Sequence, residues 1–333
     1  MQQRQLGNNG PTVSAIGIGG MSFSDFYGDV TEQQSHEILS AALDEGVTHI
    51  DTANVYGMGG SEIHIGSFLA KQGTQAQDMF SIATKASISK DATGARCFNN
   101  SPEHLEAELD KSLKRLGVDH VDLFYVHRRE AGRPIEEVTE SLAALVRKGK
   151  IRGFGYSEIA PTSLRAAHAV HPVMAVQSEY SLSVRSPELG LTQTTAELGI
   201  ALVAFCPVGR SLLTDNPHTP ERVAAMPWLC TNPRFIEPNL SRNVAASDDF
   251  RKLAADMGTS AAALSIAWLL HRGENIIPIP GTRSLSHFRE HCDGARLSLS
   301  ADDMAAIEST LPLGWAHGDR YSVDQWDGPE KYC

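Results

Sequence analysis

The chain has 333 residues, of which 41% are hydrophobic and 21% charged, a composition typical of a globular protein that buries a large core. Its net charge of -11 disfavours nucleic acid or an anionic membrane as the main partner. The amino terminus has no apolar segment behind a basic start, and no stretch approaches the roughly 18 apolar residues that a membrane helix needs. We therefore expect a cytoplasmic protein without a membrane partner.

The cysteines are odd in number, widely spaced and without a CxxC pair. This distribution fits neither a disulfide framework nor a zinc site. We expect no bound metal, and free thiols at Cys97, Cys206, Cys230, Cys292 and Cys333.

The first predicted element is a β-hairpin over RQLGNNGPTVS, where turn-forming residues from Asn8 to Pro11 separate two short extended pieces. Short apolar runs then predict eight strands, in chain order: SAIGIG from Ser14, THIDTA from Thr48, FSIATKA from Phe80, VDLFYVH from Val121, IRGFGYS from Ile151, MAVQSEYS from Met174, IALVAFCP from Ile200 and NIIPIPG from Asn275.

Helix signals occupy the segments between these runs. Thr31 with Gln34 predicts a capped helix start, and Ser101 followed by Pro102 predicts another. Gly46 and Gly117 stand where a glycine is expected just past a helix end. The longest loop is expected from about residue 211 to residue 247.

Continuous apolar strands that alternate with helices predict a parallel sheet covered on both faces. Eight such units predict a single α/β domain over residues 1–333, a (β/α)8 TIM barrel with an N-terminal β-hairpin at its bottom and long loops at its carboxyl face. The rival is a doubly wound sheet. The barrel is favoured because IGIGGMSF after the first strand lacks the GxGxxG spacing and a helix start.

Four polar residues follow or end three successive predicted strands: Asp51, Tyr56, Lys85 and His127. Catalytic residues gather at the carboxyl ends of barrel strands, so we expect these side chains to meet at one mouth. A free phenol has a pKa of about 10, so it donates a proton readily only if a nearby cation stabilises its anion. Lys85, held by Asp51, would supply that cation, and His127 would bind the oxygen that Tyr56 protonates. The group predicts a general-acid site for a carbonyl, and its missing partner is a hydride donor.

The ordered motifs DTANVYG, a strand-end lysine, DLFYVH, GYSE, QSEYS, CPVGR and PIPGTR resemble those of the aldo-keto reductase superfamily, over almost the whole chain. The chain is most similar to the bacterial and fungal branches. The resemblance implies an NADPH-dependent reductase of aldehydes or ketones. It assigns Tyr56 as general acid, Lys85 and Asp51 as the pair that tunes it, and His127 as the residue that orients the carbonyl.

The resemblance also implies the cofactor groove. Ser157 and Gln177 match residues that bind the nicotinamide carboxamide, Phe205 stands where relatives stack a tyrosine on the ring, and Glu158 replaces a frequent asparagine. Further expected cofactor residues are Gly20 and Met21 on the first loop, and Pro207, Val208, Gly209, Arg210, Ser211 and Leu212 around the pyrophosphate.

The choice of NADPH over NADH depends on PIPGTRSLSHFREH. Gly281 and Thr282 precede a helix expected to begin near Ser284, whose backbone amides would face an anion, and Arg283 can pair with a phosphate. His287 and His291 replace residues that contact phosphate and adenine in many relatives, and Arg289 would compensate. We hypothesise that His287 touches the 2'-phosphate, so that the cofactor binds more tightly as pH falls through the range where histidine charges.

The substrate pocket is expected among aromatic residues of the strand-end loops, which suits a bulky or moderately apolar carbonyl compound. The candidates are Phe23, Tyr27, Tyr56, Trp228, Phe235, Trp315 and Trp326. We expect the carboxyl-terminal stretch GDRYSVDQWDGPEKYC either to fold over the active site or the cofactor, or to form an oligomer contact. The motifs choose neither the individual carbonyl compound nor an oligomeric state.

A second functional class has the same motifs. The potassium-channel β subunits resemble aldo-keto reductases and keep the catalytic group while regulating a partner. A cofactor-binding sensor is therefore the alternative to a working reductase. We favour the enzyme because the sequence shows no basic or apolar stripe that would serve as a docking surface.

Overall fold

The computed structural model describes residues 1–73 and 78–332, and within these ranges an eight-stranded parallel sheet curls around the core. The strands are β1 (Gln3–Gln5), β2 (Thr12–Ser14), β3 (Ile18–Gly19), β4 (His49–Asp51), β5 (Ser81–Ala86), β6 (Ile88–Lys90), β7 (Arg96–Phe98), β8 (Val121–Val126), β9 (Ile151–Ser157), β10 (Ala175–Glu179), β11 (Ala201–Phe205) and β12 (Ile276–Pro278). The sheet order is β12-β11-β10-β9-β8-β5-β4-β3, so every predicted strand is present in the predicted succession.

The sheet closes on itself. The Gly17 amide donates to the carbonyl of Pro278 at 2.8 Å, and the Gly19 amide donates to the carbonyl of Pro280 at 3.0 Å. These bonds join the first barrel strand to the last, as in a (β/α)8 barrel and unlike an open doubly wound sheet. The predicted barrel is therefore confirmed.

The amino-terminal hairpin closes the bottom of the barrel. β1 and β2 pair antiparallel, with Gln3 opposite Ser14. Leu6 and Val13 are buried in one apolar cluster with Met174 and Ala201, which precede or begin barrel strands. Since those residues lie at the amino ends of β10 and β11, the hairpin fills the end of the barrel opposite the predicted site.

The helices of the described ranges lie between the strands and after them: α1 (Glu32–Glu45), α2 (Gly60–Gln72), α3 (Pro102–Leu116), α4 (Ile135–Arg147), α5 (Pro161–Val170), α6 (Leu191–Leu198), α7 (Pro220–Ala224), α8 (Asn239–Ala246), α9 (Asp248–Asp256), α10 (Ala261–His271), α11 (Leu285–Gly294) and α12 (Ala301–Thr310). Thr31 and Gln34 form a capping box on α1, and Ser101 caps α3. Gly46 and Gly117 end these helices in the left-handed conformation. The predicted helix signals are confirmed.

The segment from 211 to 247 differs from the single long loop that we expected, because it contains α7 and α8. Thr219 caps α7 and Pro220 occupies its first turn, a start signal that the sequence analysis passed over. The segment also has its own apolar cluster, formed by Leu212, Val223, Leu229, Phe235 and Leu240. Those side chains are therefore used for packing.

Free thiols are present at Cys97, Cys206, Cys230 and Cys292, whereas Cys333 lies outside the described residues. Over the described ranges, no single helix is long and apolar enough to cross a membrane, although Asn239–Asp256 and Ala261–His271 pass that test as a pair bent by 87°.

The hairpin packing makes a testable prediction. Leu6→Ala removes a fully buried side chain from the bottom of the barrel and leaves a cavity, so we expect it to lower the free energy of unfolding by about 2–5 kcal/mol. Denaturant unfolding measures this loss. Asn9→Ala, at the exposed hairpin tip, is the control and should change the free energy by less than about 0.5 kcal/mol. Equal stability of the two variants would show that the hairpin does not contribute to the core.

Candidate active site

The predicted catalytic residues meet at the carboxyl end of the barrel. Asp51 ends β4, Lys85 lies near the end of β5 and His127 directly follows β8. The pairing of β4 with β5 and of β5 with β8 sets them side by side. Tyr56 follows β4 on a short turn at the same end. The parallel barrel therefore brings together four side chains that are distant in sequence.

A buried ion pair forms the floor of this group. The ammonium of Lys85 donates to a carboxylate oxygen of Asp51 and, at 2.8 Å, to the carbonyl of Thr52. The other Asp51 oxygen accepts a hydrogen bond from the amide of Gln177 at 2.7 Å. Lys85 is completely buried, so Asp51 supplies the negative charge that such an ammonium needs.

Tyr56 and His127 stand above this floor. Their rings meet edge to face with centroids 5.8 Å apart, and the Lys85 ammonium lies 5.2 Å from the Tyr56 ring centroid. Both residues line the cavity described below. A carbonyl oxygen placed beside the phenol would therefore also be near the imidazole.

Burial and neighbouring charges set the protonation states. Burial and the Asp51 carboxylate raise the pKa of Tyr56, while the charge of Arg128 opposes that rise. Lys85 is expected to supply the cation that stabilises the Tyr56 phenolate, and that role stays a prediction. Burial lowers the pKa of Lys85, and Asp51 opposes this. Burial holds the pKa of His127 well below 6.5, and the charges of Arg128 and Lys85 add to this effect. The imidazole is therefore neutral near pH 7.

A cavity of about 780 Å³ opens above the group. It reaches from the loops after β3, β5 and β8 to the loops after β11 and β12, and the size suits a ligand of drug or cofactor dimensions. The predicted residues that line it are Met21, Tyr27, Asp51, Tyr56, His127, Ser157, Gln177, Phe205, Pro207, Val208, Arg210, Ser211, Trp228, Gly281, Thr282, Arg283, His287 and His291.

Other predicted residues do not reach the cavity wall. Phe23 is fully buried in the core between sheet and helices, and Phe235 packs in the cluster around α7 and α8. Both were predicted to bind substrate, and the structure corrects this because apolar packing beneath the loops takes up their rings. Leu212 packs in the same cluster as Phe235. The remaining predicted residues outside the wall are Gly20, Lys85, Gly209, Arg289, Trp315 and Trp326.

Two cations expected to face phosphates have protein partners. Arg210 is buried and binds both carboxylate oxygens of Glu179. The guanidinium of Arg283 donates to the carbonyls of Tyr27, Gly28 and Asp29, which ties the loop after β12 to the loop after β3. Arg283 thus spans the two loops that border one end of the cavity.

The carboxyl-terminal stretch folds over the strand ends through a network that the sequence analysis missed. Arg320 forms ion pairs with Glu158 and Glu179, two buried carboxylates after β9 and at the end of β10. Burial acts to raise the pKa of Glu158, but the Arg320 charge and hydrogen bond lower it below 4.5. Glu158, which replaces the asparagine of many relatives, therefore anchors the terminal stretch.

Aromatic rings alternate with the arginines of this network. Arg210 stacks over Trp228 with 4.7 Å to the ring centroid, and Arg320 lies 4.6 Å from the ring of Tyr321 and 4.7 Å from that of Trp326. Tyr321 and Trp228 line the cavity. The only sequence signal was the mixture of charged and aromatic residues near the carboxyl terminus. Other lining residues that were not predicted to bind a ligand include Phe26, Arg96, His218 and Gln325.

The cavity wall suits a dinucleotide, because residues of the wall present several buried polar atoms. Buried polar atoms without a hydrogen-bond partner among the described residues include His127 Nδ1, Arg210 Nε, His218 Nδ1 and His291 Nδ1, all in residues that line the cavity. The loops after β3 and β12 are in close contact, since a side chain at Gly281 would lie 2.7 Å from the carbonyl of Gly19. Ser284 caps α11, whose amino-terminal amides face this end of the cavity, a favourable position for an anion.

Comparison with known proteins gives consistent results. Residues 15–312 match the model of the Aldo/keto reductase family. The chain is 36% identical over 322 residues to "Aldo-keto reductase yakc [NADP(+)]" of Schizosaccharomyces pombe (strain 972 / ATCC 24843), covering 96% of this chain and 94% of the relative. It is 34% identical to "Probable aldo-keto reductase 1" of Glycine max, covering 96% of this chain and 92% of that relative.

Solved structures show the same likeness. The glycerol dehydrogenase from Gluconobacter oxydans superposes with a TM-score of 0.80 at 26% identity, covering 93% of this chain and 94% of that chain. A thermostable aldo-keto reductase in complex with the inhibitor epalrestat superposes with a TM-score of 0.74 at 26% identity, covering 93% of this chain and all of that chain.

The buried network makes a second prediction. Arg320→Met leaves Glu158 buried without its cation, so we expect the free energy of unfolding at neutral pH to fall by about 3–5 kcal/mol. Arg165→Met, which breaks an exposed pair with Glu197, is the matched control and should change the stability far less, because water and salt screen exposed pairs. Similar losses in the two variants would contradict a special role for the buried pair.

The stability lost in Arg320→Met should depend on pH, in the direction that the pKa of Glu158 sets. The pKa of Glu158 is lowered in the folded protein, so the stability that its ionisation contributes is present above pH 4.5. That contribution is lost as pH falls through the lowered pKa. Denaturant unfolding at several pH values should therefore show the difference between wild type and Arg320→Met shrinking at acid pH.

Proposed function

The chain belongs to the aldo/keto reductase family, and from this premise we propose that it reduces the carbonyl of an aldehyde or ketone to an alcohol with NADPH. Family membership makes it an oxidoreductase that acts on small carbonyl compounds. The single observation that carries the finer proposal is the convergence of Tyr56, His127 and the Lys85–Asp51 pair at the base of the cavity.

The residues of the cavity wall and the name of one relative both support NADPH as the cofactor. The name of the Schizosaccharomyces pombe relative includes NADP(+). In this chain, Ser157 and Gln177 would hold the nicotinamide carboxamide, Phe205 would stack on the ring, and the start of α11 would face the 2'-phosphate. When bound, NADPH supplies a hydride to the carbonyl carbon.

Tyr56 donates the proton that completes the reduction. The raised pKa of Tyr56 keeps its phenol protonated at neutral pH, so the proton is held until negative charge develops on the carbonyl oxygen. An alkoxide is a stronger base than a phenolate, which makes the final transfer favourable. The nearby Arg128 and Lys85 charges stabilise the phenolate that remains.

His127 orients the carbonyl as a neutral imidazole. Because its pKa is far below the ordinary value, it donates a hydrogen bond without competing with Tyr56 as the acid. The buried ion pair beneath fixes the floor on which Tyr56 rests. The protein groups thus have separate roles, since Tyr56 transfers a proton and His127 positions the oxygen. Lys85 with Asp51 sets the charge beneath them.

The alternative of a cofactor-binding regulatory subunit is not favoured. The matched family model, the two relatives and the two solved structures are named as reductases or as a dehydrogenase. Over residues 1–73 and 78–332, the surface offers no specific observation that favours a regulatory role over catalysis.

The assignment of Tyr56 is tested by removing one oxygen. We expect Tyr56→Phe to lower kcat for carbonyl reduction by about 10²–10⁴-fold, the usual contribution of a general acid, with NADPH affinity nearly unchanged. The measurements are NADPH oxidation over a panel of aldehydes and ketones, with NADH in parallel, and cofactor titration. Tyr156→Phe is the matched control, because Tyr156 binds Thr139 away from the cavity. Equal loss of reduction and cofactor binding would refute the role of Tyr56.

The 2'-phosphate contact is tested by pH. His287 is exposed at the start of α11 and lines the cavity, so a charged imidazole there would attract the phosphate. We expect NADPH affinity to rise as pH falls from 8 to 5.5 and this rise to disappear in His287→Ala. His291 is not a rival source of the effect, because burial lowers its pKa to about 3. A flat titration in the wild type would refute the contact.

A further inference from the structure

Two arginines on the cavity wall beside the catalytic residues have only neutral partners. Arg128 donates to the carbonyl of His127 at 2.7 Å and to the hydroxyl of Ser157 at 3.0 Å. Arg96, on β7, donates to the carbonyl of Asp327 at 2.6 Å. Across residues 1–73 and 78–332, no carboxylate forms an ion pair with either guanidinium, and both residues line the cavity.

The two arginines flank the same small area. Arg96 stacks over the ring of Phe98 with 5.1 Å to its centroid. A side chain at Gly328 would lie 2.7 Å from that ring and 3.2 Å from Arg128 Cδ. The carboxyl-terminal stretch therefore packs against both Phe98 and Arg128 at Gly328, where there is no room for a side chain. After burial, the charge of Arg128 is the main cause that lowers the pKa of Arg96, consistent with their proximity.

The positive charge here is not compensated as it is at three buried cations around the site. Arg210 and Arg320 are paired with Glu179 and Glu158, and Lys85 is paired with Asp51. Asp324 and Asp327 are the carboxylates that raise the pKa of Arg96, but neither forms an ion pair with it within the described part of the chain. The pair of Arg96 and Arg128 thus leaves two positive charges beside the reacting position.

The cofactor phosphates do not account for these charges. The loops that would hold the dinucleotide follow β9 to β12 and continue to α11, whereas β7 belongs to the hairpin after β5. Arg128 is next to His127, on the side where the carbonyl would bind. An anion at this place would therefore be part of the substrate.

We propose that Arg96 and Arg128 bind a carboxylate on the carbonyl substrate, so that the preferred substrate is an aldehyde or ketone acid with a flat, apolar body. This inference rests on the proposed function. Guanidinium groups form paired, charge-assisted hydrogen bonds with carboxylates, which supplies both attraction and orientation. The aromatic rings of Phe26, Trp228 and Tyr321 line the same cavity and suit the flat body.

The test compares 4-carboxybenzaldehyde with its neutral methyl ester. The ester withdraws electrons more strongly than the carboxylate, so intrinsic reactivity favours the ester and a preference for the acid must come from binding. We expect the wild type to use the acid with a kcat/KM at least about tenfold higher, as for one charge-assisted hydrogen bond. Because exposed charges are screened, the preference should fall as salt is raised.

Two variants assign the preference to the arginines. Arg96→Gln and Arg128→Gln should each reduce the ratio of the two kcat/KM values by about tenfold. Arg242→Gln removes an equal charge from exposed α8 and should leave the ratio unchanged. Arg96 is exposed, so its variant is expected to fold, and thermal unfolding checks this. An ester used as well as the acid, or a ratio that neither variant alters, would overturn the proposal.

Failure of this inference is distinguishable from failure of the proposed function. Reduction of the ester that depends on Tyr56 would keep the reductase assignment while refuting the acid preference. If neither compound is reduced, calorimetric binding of 4-(hydroxymethyl)benzoate to the protein with NADP+ decides. Binding that is tighter than that of its methyl ester and is lost in Arg96→Gln supports the carboxylate site, and equal binding of both refutes it.

Discussion

The closure of the sheet is the constraint on which the site depends. The bonds from Gly17 to the carbonyl of Pro278, at the end of β12, and from Gly19 to the carbonyl of Pro280 bring the two ends of the strand series together. Glycine is required for this approach, because a side chain at Gly19 would lie 2.8 Å from the carbonyl of Ile279. Once the barrel is closed, all strand ends face one mouth, and the loops after β3 and β12 form adjoining walls of one cavity.

Charge is balanced differently at different depths of that mouth. On the floor, the buried Lys85 ammonium is matched by Asp51, since an isolated buried charge would be costly. Along one side, Arg210 and Arg320 are matched by two buried carboxylates and covered by aromatic rings. Close to the reacting position, Arg128 has only neutral partners. The deeply buried charges are matched, whereas Arg96, Arg128 and Arg283, which line the cavity, have no carboxylate partner among the described residues.

The protonation states of Tyr56 and His127 follow from the burial of both side chains. Burial keeps Tyr56 protonated and His127 neutral, so that in the proposed reaction Tyr56 would donate the proton and His127 would orient its acceptor. The proposed reaction would itself create the base that takes the proton. A low pKa of the phenol is therefore not necessary for a general acid whose acceptor is a developing alkoxide.

The sequence by itself determined the order of strands and the helix caps at Thr31 and Ser101, and it predicted the catalytic group, because these depend on local periodicity and short motifs. Tertiary structure decided which aromatic rings reach the cavity: Phe23 is buried in the core, while Tyr321 lines the cavity wall. It also paired Glu158 with Arg320 across 162 residues. No local pattern predicts such partners, since burial and ion pairing depend on which loops the closed barrel brings into contact.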